Sequence, residues 1–185
     1  MQRRTLLTLG TGVAVLLAGH RSAVADLEPD SLWLIYRRHS LLIVGQRDDD
    51  IASAYAVDVV DVLARYLPSS RARLARTADS RRVGVLIGTN QQDVAVMATE
   101  SAGALLLGKP PFEDLRNVPL RIIVAFGSHV LACRTDFPAG QAYLLAQTLA
   151  EHKDALPSPA AAPEGPVPAH RGSLAFFAGE EVPGD

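Results

Sequence analysis

Leu41-Leu42-Ile43-Val44-Gly45, followed by the run from Ile51 to Tyr66, decides the fold. The first segment is short, continuously apolar and closed by glycine, which suits a strand buried on both faces of a sheet. In the second, Ala52, Tyr55, Ala56, Val59, Val62 and Leu63 recur at three- and four-residue spacing. That period is the apolar stripe of an amphipathic helix. Leu67-Pro68-Ser69-Ser70 stops it, and Arg71 to Thr77 alternates as a second strand. Ala78-Asp79-Ser80 then supplies capping side chains for a short helix over Arg81 to Ile87, which Gly88-Thr89-Asn90 breaks.

The alternation continues. Asp93 to Ala98 reads as a third strand, and Glu100 to Leu107 as an alanine-rich helix ended by Gly108 and closed off by Pro110 and Pro111. Leu120 to Arg134 is the longest strand-like stretch, interrupted by Gly127. A final helix covers Pro138 to Leu156, with Ala139, Ala142, Tyr143, Ala146 and Leu149 on one side. Strands alternating with helices predict an α/β fold, with a mostly parallel sheet and helices on both faces. From Pro157 to Pro168 the chain is rich in Pro and Ala, which predicts an extended linker or loop with little capacity for a core.

The N-terminus reads differently. Arg3 and Arg4 precede an apolar run from Leu6 to Ala18, and Ala23-Val24-Ala25 is a small-residue cleavage pattern. Residues 1–25 are therefore expected to be a signal peptide, with an uncleaved N-terminal anchor as the alternative. The apolar run is too short for the roughly 20 residues of a membrane span. Arg3-Arg4-Thr5-Leu6-Leu7 also resembles a twin-arginine signal, so both the Sec and the Tat route stay open. The expected location is the periplasm. Loss of Arg3, Arg4 and Arg21 turns 18 basic against 20 acidic side chains into 15 against 20. A mildly acidic chain without a clustered positive field is not expected to bind nucleic acid. The single cysteine, Cys133, allows no internal disulfide, and within Val130-Leu131-Ala132-Cys133 it reads as a small core residue.

Ligands of such sheets settle at the carboxyl ends of strands, beside helix N-termini. Three loops qualify: Gly45 to Asp50, Thr77 to Ser80, and Ala98 to Ser101. Ser80, Thr99 and Ser101 bring hydroxyl donors to positive helix ends, which suits a carboxylate, and the same residues suit plain helix capping. Asp48-Asp49-Asp50 offers oxygen ligands but lacks the spacing and glycine of an EF-hand, and reads as a solvated helix-start charge run. No Gly-x-Ser-x-Gly elbow, Walker loop or His-Glu-x-x-His helix occurs, and no serine stands next to a recognisable base. His39, His129, His152 and His170 are scattered and read as surface or loop residues. No catalytic residues, metal or cofactor are expected, and the chain is not expected to be an enzyme.

The order of segments resembles TAXI-type solute-binding proteins, the periplasmic receptors of tripartite ATP-independent (TRAP) transporters. The likeness runs through the helix ending in Ala64-Arg65-Tyr66-Leu67-Pro68, the turn Thr77-Ala78-Asp79-Ser80, and Gln92-Asp93-Val94-Ala95-Val96. It continues through Pro111 to Asn117, Leu120 to Asp136, Pro138 to Tyr143, and Pro168-Ala169-His170-Arg171-Gly172 with Phe176 and Phe177. It covers most of residues 40–178. The resemblance implies a single lobe of a type II periplasmic-binding-protein-like fold over residues 26–156, followed by the Pro/Ala-rich segment 157–185. It implies a role in transport or envelope sensing of a small anionic solute, with Ser80, Thr99 and Ser101 holding a small carboxylate and Tyr55 forming a wall. Here Arg134-Thr135-Asp136 passes almost directly into the C-terminal helix, where complete receptors carry a second lobe. The acidic triplet after the first strand also departs from the family's glycine-rich loop. Two alternatives follow: an interaction module that docks TRAP membrane subunits or a second protein chain on the uncovered face, and a degenerate receptor without ligand.

Overall fold

The computed structural model describes residues 40–115 and 118–184, so the expected signal peptide and His39 lie outside the described residues. Five strands form one sheet: β1 (Leu42–Gln46), β2 (Arg73–Thr77), β3 (Val94–Ala98), β4 (Leu120–Phe126) and β5 (His129–Arg134). Helices α1 (Asp50–Tyr66), α2 (Ser80–Gly88) and α3 (Thr99–Leu107) separate the first strands, and α4 (Ala139–Glu151) and α5 (Arg171–Phe177) follow the last. Among the described residues no helix is long and apolar enough to cross a membrane.

The strand order is β2-β1-β3-β5-β4, with β1 parallel to both β2 and β3. The expectation of a mostly parallel sheet is corrected here. β5 runs antiparallel to both β3 and β4, so the sheet is mixed. The stretch from Leu120 to Arg134 is a hairpin rather than one strand, because Gly127 adopts φ +61° and lets the chain reverse through Gly127 and Ser128.

Period-two alternation splits the strands between two cores. Ile43, Val94, Val96, Leu131 and Cys133 face α1 and α4, whereas Val44, Ala95, Met97, Val130 and Ala132 face α2 and α3. The sheet is therefore covered by helices on both faces. In β4 the pattern slips: Leu120 and Ile122 belong to the second core, Ile123, Val124 and Phe126 to the first. A β-bulge between Ile122 and Val124 accounts for the slip. The Ser173 hydroxyl of α5 donates to the Ile123 carbonyl that the bulge displaces. Cys133 is fully buried, and burial pushes its thiol well above the ordinary range.

The Pro/Ala-rich stretch has more structure than its composition suggests. Ala161 exchanges two backbone hydrogen bonds of 3.0 Å with Ala125, and Ile122 N–H donates to the Pro168 carbonyl while His170 N–H donates to that of Ile122. The chain thus lies along β4 and covers an otherwise open edge. Ala160 and Val167 are buried, one in each core, which revises the expectation of little core capacity.

Candidate functional site

From β1 the chain moves to β2 on one side and returns to β3 on the other, so the strand order reverses between β1 and β3. Crevices at such points are where open α/β sheets hold ligands. Asp49 stands here as the N-cap of α1, its Oδ1 accepting from the Ala52 N–H at 2.9 Å. Its Oδ2 accepts from Gln46 Nε2 at 3.1 Å and pairs with His129 Nε2 at 3.0 Å. On the far side of the ring, His129 Nδ1 lies 3.0 Å from the Ser128 hydroxyl. A carboxylate only accepts, so Nε2 carries the proton, and in the neutral ring Nδ1 accepts from Ser128. Burial would raise the Asp49 carboxyl, but the hydrogen bonds from Ala52, His129 and Gln46 outweigh it and hold the group below its ordinary value.

Tyr55 stacks on Phe126 with centroids 5.1 Å apart and lies 5.7 Å from the His129 ring. The Thr99 N–H donates to the Ser128 carbonyl at 2.9 Å. Of the four residues expected at a ligand site, Tyr55 and Thr99 therefore converge on Ser128 and His129. Ser80 does not join them, because α2 starts at the end of β2, across β1 from β3. Nor do the hydroxyls cap: Asp79 is the N-cap of α2, and α3 begins after Ala98 without a side-chain cap. Thr99 and Ser101 lie inside the first turn of α3, half-buried.

Two expectations about polar residues change. His129 and His170 are 4% and 1% exposed, so neither is a surface residue. His170 caps α5, its Nδ1 accepting from the Gly172 N–H at 3.2 Å, while the half-buried His152 stacks on Tyr66. Ser128 does stand beside a base, in a chain that runs Ser128 to His129 to Asp49. The acidic triplet is divided between the exposed bend at Asp48, the Asp49 cap and the first turn of α1 at Asp50. Among the described residues no three acidic, His or Cys side chains are grouped as metal ligands.

An open cavity lies on the other side of β1. A cavity of about 590 Å³ is lined by Arg47 after β1, Arg76 and Thr77 at the end of β2, Ala78 and Asp79 before α2, and Arg81, Arg82, Val85 and Leu86 on α2. Asp79 Oδ1 accepts from the Arg82 N–H at 2.7 Å, so part of its acceptor capacity is spent on the cap. Arg81 is ion-paired with Asp114, both exposed. Among the described residues Arg47, Arg76 and Arg82 have no carboxylate partner. With Arg81 neutralised by Asp114, three guanidinium groups against one lining carboxylate still make the cavity electropositive. The sequence carried a signal: Arg71, Arg73, Arg76, Arg81 and Arg82 crowd into one short stretch. Arg47 joins them only through the fold. Comparison with protein-family models and with curated proteins gives no match.

Proposed function

We propose that this chain is a periplasmic, solute-binding-type α/β domain that takes a small anionic solute, similar to one lobe of the TAXI-type receptors of TRAP transporters. The observation that carries the reading is the arginine-lined cavity at the carboxyl ends of β1 and β2. Its volume falls within the roughly 300–1,000 Å³ of small-molecule sites. Guanidinium groups bind carboxylate and phosphate oxygens through paired N–H donors, and their charge survives at any physiological pH. A sheet covered on both faces by helices, with the cavity at the carboxyl ends of its parallel strands, supports the same reading. On this reading the anion is held by Arg47, Arg76 and Arg82 rather than by the hydroxyls of Ser80, Thr99 and Ser101, none of which lines the cavity.

The test is thermal unfolding of the purified chain at low salt against small carboxylates and phosphates. A ligand at a hundred times its Kd stabilises by about 2.7 kcal/mol, which a melting curve resolves. The shift should disappear in Arg76→Ala with Arg82→Ala and persist in Thr99→Ala. No shift with any anion would sink the proposal. N-terminal sequencing of the exported protein tests the location, with Asp26 expected as the first residue.

A second reading, docking of transporter membrane subunits or another protein chain, is favoured by Ile51. This residue is 56% exposed in the first turn of α1, on the face that holds the strand ends. Size-exclusion chromatography with light scattering separates the two: a monomer that responds to anions supports binding, and a stable complex supports docking.

A further inference from the structure

We propose that the group held in the arginine cavity is the phosphoryl group of a small organic phosphomonoester. The inference rests on the anion-binding reading above and narrows its chemistry. Arg47, Arg76, Arg81 and Arg82 come from a loop, a strand and a helix, so three separate elements line the cavity with positive charge. A carboxylate has two oxygens in one plane and a single charge, which one guanidinium fork already satisfies. A phosphomonoester carries about −1.5 to −2 charges at neutral pH and three outward oxygens spread in three dimensions. That distribution matches the three guanidinium groups of Arg47, Arg76 and Arg82, which have no carboxylate partner among the described residues, better than a single carboxylate does.

The rest of the cavity indicates what the phosphoryl group is attached to. About 590 Å³ exceeds the space of one inorganic anion and leaves room for an organic body. Leu86 supplies an apolar wall for carbon atoms. Asp79, the one carboxylate on the lining, repels the phosphoryl group and accepts hydrogen bonds from hydroxyls. Its Oδ1 already accepts from the Arg82 N–H, and Arg81 is shared with Asp114. The ligand is therefore expected to place its phosphoryl end toward Arg47, Arg76 and Arg82 and its hydroxyls toward Asp79.

Isothermal titration of the full chain at low salt tests the assignment with four probes: glycerol 3-phosphate, succinate, inorganic phosphate, and vesicles containing phosphatidic acid. Glycerol 3-phosphate should bind at least about tenfold tighter than succinate, a dianion of different geometry, and tighter than inorganic phosphate. Arg76→Ala and Arg82→Ala should each weaken it about tenfold, and Arg82→Lys, which keeps charge but loses the fork, should also weaken it. Arg65→Ala, on α1 outside the cavity, should change nothing. Because Arg76 and Arg82 are exposed, melting temperatures of the free variants should match the parent, which separates lost binding from lost folding. Equal or tighter binding of succinate overturns the phosphoryl assignment and leaves the anion-binding reading standing. Equal binding of inorganic phosphate overturns the organic body. Binding to vesicles alone, lost in the arginine variants, keeps the phosphoryl chemistry and assigns its source to a lipid headgroup. Failure of every probe overturns both readings.

Discussion

His129 Nε2 lies 3.0 Å from the carboxylate of Asp49, eighty positions away in the chain, and this contact joins the N-cap of α1 to the start of β5. The same carboxylate caps the helix and accepts from Gln46, so three attachments converge on one side chain. Asp49→Ala removes the cap and leaves two donors without an acceptor. A loss of about 2–4 kcal/mol is expected in urea unfolding. Because the folded carboxyl titrates below its unfolded value, its contribution is complete above about pH 4 and is lost as pH falls through the folded value. In Asp49→Asn, which keeps the cap, that acid limb should flatten. An acid limb identical to that of the parent would show that Asp49 is not its source.

His170 should act in a different pH range. Burial, opposed in part by nearby backbone hydrogen bonds and reinforced by Arg171 and Arg121, lowers its tendency to protonate in the folded chain. Between the folded value and about 6.5 the unfolded chain holds the proton and the folded chain does not. Stability is therefore full above about pH 6.5 and declines as the solution is acidified below it. His170→Asn retains a capping acceptor for Gly172 and should remove this slope, as read from melting temperatures at successive pH values.

Gly172 and Gly84 should respond unequally to alanine. A Cβ on Gly172 would fall 2.0 Å from the Ala139 carbonyl oxygen and 2.9 Å from the Tyr143 nitrogen, backbone atoms of α4 that cannot step aside. A Cβ on Gly84 meets the Leu105 and Phe112 side chains at 3.0 Å, which can rotate. Gly172→Ala should cost about 3 kcal/mol or more and free α5 from α4, exposing amides of 171–177 to hydrogen exchange. Gly84→Ala should cost about 1 kcal/mol and leave that exchange unchanged.

The strap along β4 has two graded tests. Ala161→Pro removes the N–H that donates to Ala125 and should cost about 1 kcal/mol in urea unfolding. A chain ending at Leu156 uncovers the whole edge and should self-associate with rising concentration, as read by light scattering. A truncated chain that stays monomeric at all concentrations would show that the strap does not guard the edge.

Much of the element order was legible because burial on both faces imposes continuous apolar strands, and burial on one face imposes the helical period. The stripe on α1, from Ala52 to Leu63, is the set of residues that the fold buries. The hairpin was harder to see, since Leu120 to Arg134 stays apolar across the turn and only Gly127 marks the reversal. The bulge at Ile123 is invisible to alternation, which it breaks by a single residue. The candidate site left less trace in the sequence than the fold did. Helix-start hydroxyls drew attention to Ser80, Thr99 and Ser101, while the charges collected elsewhere. Arg47 meets Arg76, Arg81 and Arg82 only after β1 and β2 pair, and Asp49 finds His129 only after β5 inserts between β3 and β4. Such long-range convergence leaves no periodic trace in the chain.

The strap also sets a timetable for biosynthesis. Residues 161–169 are made after both strands of the hairpin, yet they close a seam that opens when the hairpin forms. A nascent chain halted before residue 161 would carry that seam bare. Quality control that senses unpaired strand borders therefore has a natural target in any copy stopped short of this segment.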